Sequence, residues 1–394
     1  MEILDYSEGH KAFRHRLKEY IGSHIRPRVD QWEAQHIVPK GDWKRMGQNG
    51  FLCTAVNKSY GGMEGDFLYS LICAEEMAKT HQSGFMTLLH SDIVVPYIES
   101  YGSEAQKRKY LPDCVTGEAI TAIAMTEPDA GSDLASMRTT AVRDGDDFVI
   151  NGSKIFISNG VNCDLVVLAA KDPAAENPHK SISLFIVEDG TPGFKKGTQL
   201  EKMGMHSQDT AELFFSNCRI PTENLLGEKG DGFVMLMKKL QQERLVCSIW
   251  ALSRAEHVLQ WTIDYCQRES IAGAPLFRNQ SVQFDLAEMA TQVKMSRCFV
   301  EKLVADHMEE RNAVMETSMA KYQTSEMINE VTGRCMDIVG RDALDERCPL
   351  AREWRDVRVM TIFAGTNEIM KGIIAKGLSQ HDFNIALSAG HGKK

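Results

Sequence analysis

No two of the ten cysteines form a Cys-x-x-Cys pair, and none has a histidine at a metal-ligand spacing. That excludes a zinc ribbon, a redox dithiol and a disulfide-stapled scaffold. Reduced, mostly buried thiols are expected, and no metal site. No apolar stretch approaches the roughly 18 residues that a membrane-spanning helix needs. The opening MEILDYSEGHKAFRHRLKEY has neither the apolar core of a secretory signal nor the acid-free composition of a transit peptide, so a cytoplasmic location is expected. Basic residues are in the minority, 45 Lys and Arg against 54 Asp and Glu, and they are scattered, which argues against nucleic acid as a partner. Proline is sparse toward the C-terminus: after Pro221 only Pro275 and Pro349 occur, and residues 276–332 hold no glycine. Long helices tolerate such text, and little else does.

What is present is the balance of a core-forming protein, 43% hydrophobic and 25% charged over 394 residues, enough for two or three domains. Residues 1–118 read as helical: Phe13, Leu17, Tyr20 and Ile21 recur at helical spacing, Leu68–Ala78 reads as a buried helix, and glycine and proline are expected at the breaks. Residues 119–222 change to short apolar runs between turn residues, with Asp144–Asp147 (DGDD) as a hairpin turn. Residues 223–394 return to helix, where Leu286, Met289, Val293, Val300 and Val304 make an apolar stripe. The 20 methionines suit helix packing. The terminal Ser-Ala-Gly-His-Gly-Lys-Lys reads as a disordered, charged end without a peroxisomal address. An α+β protein in three blocks is therefore expected.

Three segments carry more information. Thr126-Glu-Pro-Asp-Ala-Gly-Ser-Asp133 leaves one strand, Lys154-Ile-Phe-Ile-Ser-Asn-Gly160 lies on another, and Phe363-Ala-Gly-Thr-Asn-Glu-Ile-Met370 is a small-residue turn near the end. Singly, each reads as an ordinary turn or strand. Together, in this order and in this frame, they resemble the acyl-CoA dehydrogenase family along nearly the whole chain. The wording is closest to long-chain and isovaleryl-type members, through KMGMHSQDTAELFF (202–215), QQERLV (241–246), MAKYQTSE (319–326) and AGTNEIMK (364–371). The resemblance implies an N-terminal helical domain, a middle β-barrel or sandwich and a C-terminal four-helix bundle. It also implies FAD, an acyl-CoA thioester substrate, electron-transfer flavoprotein as acceptor and a homotetramer.

Forming a 2,3-enoyl thioester requires a base to take the α-proton while the β-hydrogen leaves as hydride to flavin N5, so one carboxylate must face the flavin across the substrate. In many members that carboxylate immediately precedes the Gly-Thr of the last motif, where this chain has Ala364. The alternative family position lies in the helical wording Q-E-R-L, and Glu243 occupies it. Residue counting alone would make Glu243 a helix-surface glutamate in the polar run Gln241–Arg244; the resemblance implies that it is the catalytic base. Arg244 falls where the family places an arginine near the acyl-CoA, as do Ser132, Phe363 and Gly365. Leu240 and Ile249 are read either as cavity wall, with Phe363, or as ordinary core.

For the flavin, the resemblance implies Met125, Thr126, Phe156 and Ser158 around the isoalloxazine ring, with Thr366 and Glu368 at the flavin or its diphosphate. By alternation alone Phe156 and Ile157 are strand residues of which one is core. The family segments that hold the ADP half from a neighbouring subunit are eroded. Arg268 aligns only with one extra residue, Glu269 and Ala272 otherwise standing at the family Arg and Phe; Gln280 is retained; and Asp337-Ile-Val-Gly340-Arg341 keeps Gly340 with Asp in place of Gln. An FAD-sharing subunit of a hetero-oligomer is therefore a second expectation. An oxidase, monooxygenase or desulfinating reaction on the same fold, or a non-catalytic flavin scaffold, is a third.

Overall fold

The fold was examined in a computed structural model, which describes residues 3–177, 180–271 and 273–380; the expected charged end and Ala272 lie outside them. In the first block, α1 (Glu8–Tyr20), α2 (Val29–Gln35), α3 (Lys40–Gln48), α4 (Phe67–Ala78), α5 (Val95–Tyr101) and α6 (Glu104–Thr116) follow one another, with π-helical turns at Ile21–Ile25 and Leu89–Val94. Short oxygen side chains start three of these helices by accepting free amides: Ser7 from His10, Asp66 from Leu68 and Ser103 from Gln106. Phe13, Leu17, Tyr20 and Ile21 are all buried, as their spacing predicts, and so is most of α4. Proline does not always mark a break here, because Pro112 lies inside α6. The carbonyl that it leaves without a helical partner belongs to Arg108, which is exposed to water.

Strands β1 (Thr121–Ala124), β2 (Thr140–Asp144), β3 (Asp147–Ile157), β4 (Leu165–Lys171), β5 (Ile182–Glu188), β6 (Phe194–Gln199), β7 (Ala211–Pro221) and β8 (Leu225–Leu226) form one sheet in the order β6-β7-β3-β2-β4-β5-β8, with β1 parallel to β4. The expected hairpin is the β2–β3 turn, closed by Asp144 opposite Asp147. β2 and β4 meet at a single pair, Thr140 with Lys171. The sheet thus folds over itself about that corner, and Phe148 of β3 meets Phe185 of β5 at 5.0 Å in the core between the halves. On β4, Val166, Leu168 and Ala170 face this core, while Leu165, Val167 and Ala169 face the N-terminal helices. Burial on both faces is why these strands read as unbroken apolar runs.

In the last block α7 (Gly232–Arg268) spans 37 residues. A small hairpin of β9 (Ser270–Ile271) and β10 (Ala274–Pro275) turns the chain into α8 (Gln280–Met308), then α9 (Val314–Val339), α10 (Pro349–Val357) and α11 (Asn367–Gln380). The predicted stripe of α8 is buried throughout. Among the described residues no helix is long and apolar enough to cross a membrane. The ten cysteines are unpaired, seven of them buried.

The first and last blocks are tied by a buried ionic network. Arg254 of α7, fully buried, donates to Glu353 (2.9 Å) and to the Gln82 carbonyl (2.9 Å), while Ser83 donates to Asp356 (2.6 Å). Removing one member of such a network strands the others in a medium that cannot solvate them. Arg254→Met is therefore expected to lower the unfolding free energy by about 3–5 kcal/mol, measured by chemical denaturation.

Candidate active site

The site begins with two turns that the fold pins together. The loop after β1 reverses at Glu127–Ala130, whose amides and carbonyls pair with each other. Glu127 is buried and accepts from the amides of Arg138 (2.6 Å) and Thr139 (3.0 Å) and from Lys154 (2.8 Å). Lys154 of β3, fully buried, also donates to the Met125 carbonyl (3.0 Å). Burial pushes the Glu127 carboxyl up, but the Lys154 ammonium and the two amides outweigh it and hold the group below the usual carboxylate range. Ile155 then donates to the Thr126 carbonyl (3.0 Å). Met125 and Thr126 are thereby laid beside Phe156 and Ser158.

Just past this anchor β3 breaks register with β7, between Lys154 and Ile157. Phe156 sits there at a φ of 59°, a conformation that a bulky residue seldom adopts, with its side chain 63% exposed. Alternation, which puts one of Phe156 and Ile157 in the core, holds: the bulge turns Phe156 outward, and Ile157 goes to the core. Asn159 (φ 61°) ends the strand. Gln208, from the 202–215 segment, accepts the Asn159 amide (3.0 Å) and donates to the Gly84 carbonyl (3.2 Å).

These residues form one side of a cavity of about 180 Å³. Met125, Thr126, Phe156 and Ser158 line it, together with Met86, Leu88, Leu89 and Ile93 of the first block and Glu243, Val246, Cys247 and Trp250 of α7. The α7 residues fall at i, i+3, i+4 and i+7, one helix face. That geometry explains which expected wall residues are present. Phe363 lines the cavity, stacked on Trp250 at 5.9 Å. Ile249, turned about 100° from Trp250, packs in the helical core and does not line the cavity, and Leu240 also lies outside the lining.

Glu243 is the one carboxylate among the described lining residues, and it is 4% exposed. The surface-glutamate reading fails because α4, α9 and the Leu89–Val94 turn all pack on this stretch of α7. Tyr97 donates to Glu243 Oε1 at 2.7 Å. Burial dominates and lifts the carboxyl to about 7, against the opposing pull of Tyr97, Arg244 and Lys239.

The last motif completes the wall at Ala364. Ala364 (φ 51°) and Gly365 (φ 88°) both adopt left-handed backbone, and a Cβ at Gly365 would meet Met370 Cε at 2.7 Å. Lys321 of α9, buried, donates to the Gly365 carbonyl (2.7 Å) and to Asn367 (3.0 Å), fixing the turn. Thr366 accepts the Ile369 amide (3.3 Å), and Glu368 is exposed.

Other expected site residues are not brought to the cavity. Arg244, one position round α7 from Glu243, is buried and donates to Ser318 of α9 (3.3 Å). Ser132 is exposed on the loop after Ala130. Arg268 and Gln280 are exposed at the α7 and α8 ends, and Gly340 caps α9. Tyr265 of α7 donates to Asp342 (2.9 Å), so Arg268 and Gly340 lie on neighbouring helix ends. Residue types alone did not single out Tyr97, Lys321, Gln208 or the Lys154–Glu127 pair. Their one signal is polarity inside text that the fold buries.

A flavin ring is compatible with this wall. Neither the Thr126 nor the Ser158 hydroxyl hydrogen-bonds to protein among the described residues, and Phe156 offers an uncovered ring beside them.

A helical, a sheet and a second helical block thus meet at a cavity whose described lining holds one carboxylate, and the class of protein this defines is given by its relatives. Family profiles for the acyl-CoA dehydrogenase N-terminal, middle and C-terminal domains match residues 7–118, 122–218 and 230–379. The chain belongs to the acyl-CoA dehydrogenase family. It is 41% identical over 372 residues to the long-chain specific acyl-CoA dehydrogenase of Mus musculus mitochondria, covering 94% of this chain and 86% of that protein. With isovaleryl-CoA dehydrogenase of Oryza sativa subsp. japonica it shares 32% over 382 residues, 96% and 93% of the two chains. The crystal structure of an acyl-CoA dehydrogenase from Geobacillus kaustophilus superposes with a TM-score of 0.93 at 49% identity, covering 95% of this chain and 98% of that one.

Two predictions follow from the geometry. Lys154→Met leaves Glu127 buried without its cation, and hydrogen exchange should show loss of amide protection across residues 125–131. Glu243 binds a proton more tightly folded, at about 7, than its ordinary 4.5, so its contribution to stability falls as pH rises through that window. Glu243→Gln is expected to be more stable than wild type at pH 8, by roughly 3 kcal/mol, and equal to it at pH 4, as read by denaturation at the two pH values.

Proposed function

We propose that this chain oxidises the 2,3 bond of an apolar acyl-CoA thioester, with Glu243 as the base that removes the α-proton. The observation that carries the proposal is that one buried carboxylate, the only one among the described lining residues, shares the cavity with Met125, Thr126, Phe156 and Ser158. FAD held by Met125, Thr126, Phe156 and Ser158 would supply the acceptor for the β-hydride. Burial keeps Glu243 basic enough to take a proton from carbon and still ionised in part at neutral pH. The Ala364–Gly365 turn, anchored by Lys321, is the source of a backbone amide to polarise the thioester carbonyl. Buried Met, Leu and aromatic groups exclude water from the reacting carbons.

The lining also supports a substrate class. Among its described residues no Lys, Arg or His occurs, so a second carboxylate on the acyl group would be buried unpaired. A straight or branched hydrocarbon chain fits, and a dicarboxylic one does not. Arg268 and Gln280 are the residues that would hold the ADP end, with Glu269 and Asp337 as the opposing charges; they are exposed in the single chain, which favours completion by a neighbouring copy in a homotetramer. Electrons would pass to electron-transfer flavoprotein, in the cytoplasm.

The test is an anaerobic absorbance titration of the FAD-loaded protein with straight, branched and dicarboxylic acyl-CoAs. Bleaching by the hydrocarbon classes alone is expected, with reoxidation by electron-transfer flavoprotein rather than by oxygen. Glu243→Gln is expected to retain FAD and to slow bleaching at least about a hundredfold. The wild-type rate should rise with pH to a plateau above about 7, since the ionised carboxylate is the active form.

A further inference from the structure

Tyr97 lies on α5, fully buried, and does not line the cavity. Its hydroxyl is its one polar side-chain atom, and its bond to Glu243 Oε1 (2.7 Å) crosses from the first block to the last. The preceding π-helical turn, Leu89–Val94, shifts the phase of the helix that follows it. Leu89 and Ile93 of this turn line the cavity, and Tyr97, on the helix that follows, reaches the Glu243 carboxylate. Three further polar ties seat this segment on α7: Gln242 donates to the Asp92 carbonyl (2.7 Å), Lys239 to Ser100 (2.7 Å) and Tyr101 to the Met235 carbonyl (3.5 Å). They surround Tyr97 and fix its distance to Glu243.

We propose that Tyr97 is a positioning residue for the base: its hydroxyl occupies Oε1 of Glu243, fixes the carboxylate plane, and leaves Oε2 as the oxygen that takes the α-proton. This rests on the reading of Glu243 as base. A tyrosine suits the task better than a cation. Its neutral O–H stabilises the ionised form by a hydrogen bond, yet it brings no charge that would make the carboxylate a poor proton acceptor. When Oε2 is protonated, the same O–H still donates to Oε1, so the geometry persists through the transfer.

Other groups around Glu243 act on it less directly. Lys239, Arg244 and Cys247 are on its own helix, and Arg244 is turned toward Ser318. From α9, Lys321 bears on Cys247. From the first block come Tyr101, which neighbours Tyr97; Glu99, which bears on Lys239; and buried Asp92, whose oxygen is taken by Ser70 (2.5 Å). Tyr97 alone among them hydrogen-bonds the carboxylate.

The experiment uses the FAD-loaded protein and the Tyr97→Phe variant, which keeps the ring and deletes the donor. Two quantities are read across pH: the rate of flavin bleaching by an excess of a hydrocarbon acyl-CoA, and, without substrate, the protonated-carboxyl infrared band that disappears in Glu243→Gln. Loss of a hydrogen bond to a charged group should move both midpoints up by about one pH unit. Bleaching at pH 7 should fall about fivefold and recover toward the wild-type rate about two units higher. An unmoved infrared midpoint, or a loss of rate equal at every pH, would overturn the role of Tyr97 and leave it a packing residue. Wild-type bleaching by Glu243→Gln is a separate result, which would overturn the base assignment itself.

Discussion

The buried pair of Lys154 and Glu127 is the interaction on which the site depends. A fully buried ammonium has few ways to be satisfied, and here it has two, the Glu127 carboxylate and the Met125 carbonyl. Because both acceptors belong to the loop after β1, while the lysine belongs to β3, desolvation drives two distant segments into one arrangement. Met125 and Thr126 cannot leave Phe156 and Ser158 without exposing the pair or stranding half of it. The register break beside it then turns an aromatic ring out of the sheet, at a backbone angle that only this fixed frame sustains.

The opposite wall relies on a different constraint, the burial of a long helix on nearly all sides. Between Glu243 and Ala255 almost every residue of α7 is buried, polar ones included. Glu243 has Tyr97, Arg254 has Glu353 and Gln82, and Arg244 has Ser318. Each contact costs desolvation and returns specificity of position. Stability is lowered at neutral pH by keeping Glu243 in this place, and the same burial holds the proton of its carboxyl up to about 7.

The third wall is a turn held from below. Ala364 and Gly365 both keep left-handed backbone, and they do so under the hold of Lys321 on the Gly365 carbonyl. Ala364 brings only a methyl group to the cavity, whose described lining is mostly apolar, with Gln82, Ser83, Thr87, Thr126 and Ser158 as its neutral polar members.

Much was legible in the amino-acid sequence. Periodicity, the glycine-free stretch and the short apolar runs announced a helical, a sheet and a second helical block, because local burial leaves its period in the text. The stripe of α8, the Asp144–Asp147 hairpin and the two-sided burial of β4 are of this kind. Motif wording pointed to Met125, Thr126, Phe156, Ser158, Glu243 and Phe363, which the fold gathers round one cavity. It also placed Arg244 near the substrate and left Ile249 open between wall and core; one step along a helix turns a side chain by about 100°, and only packing decides which face meets the cavity. It did not mark Tyr97, and although Glu127, Lys154, Gln208 and Lys321 stand inside the motif segments, it gave none of them a role. Composition and local pattern set which segments are helix or strand. Which polar side chains lose their water together is a property of residues far apart in the chain, and the tertiary structure alone decided it.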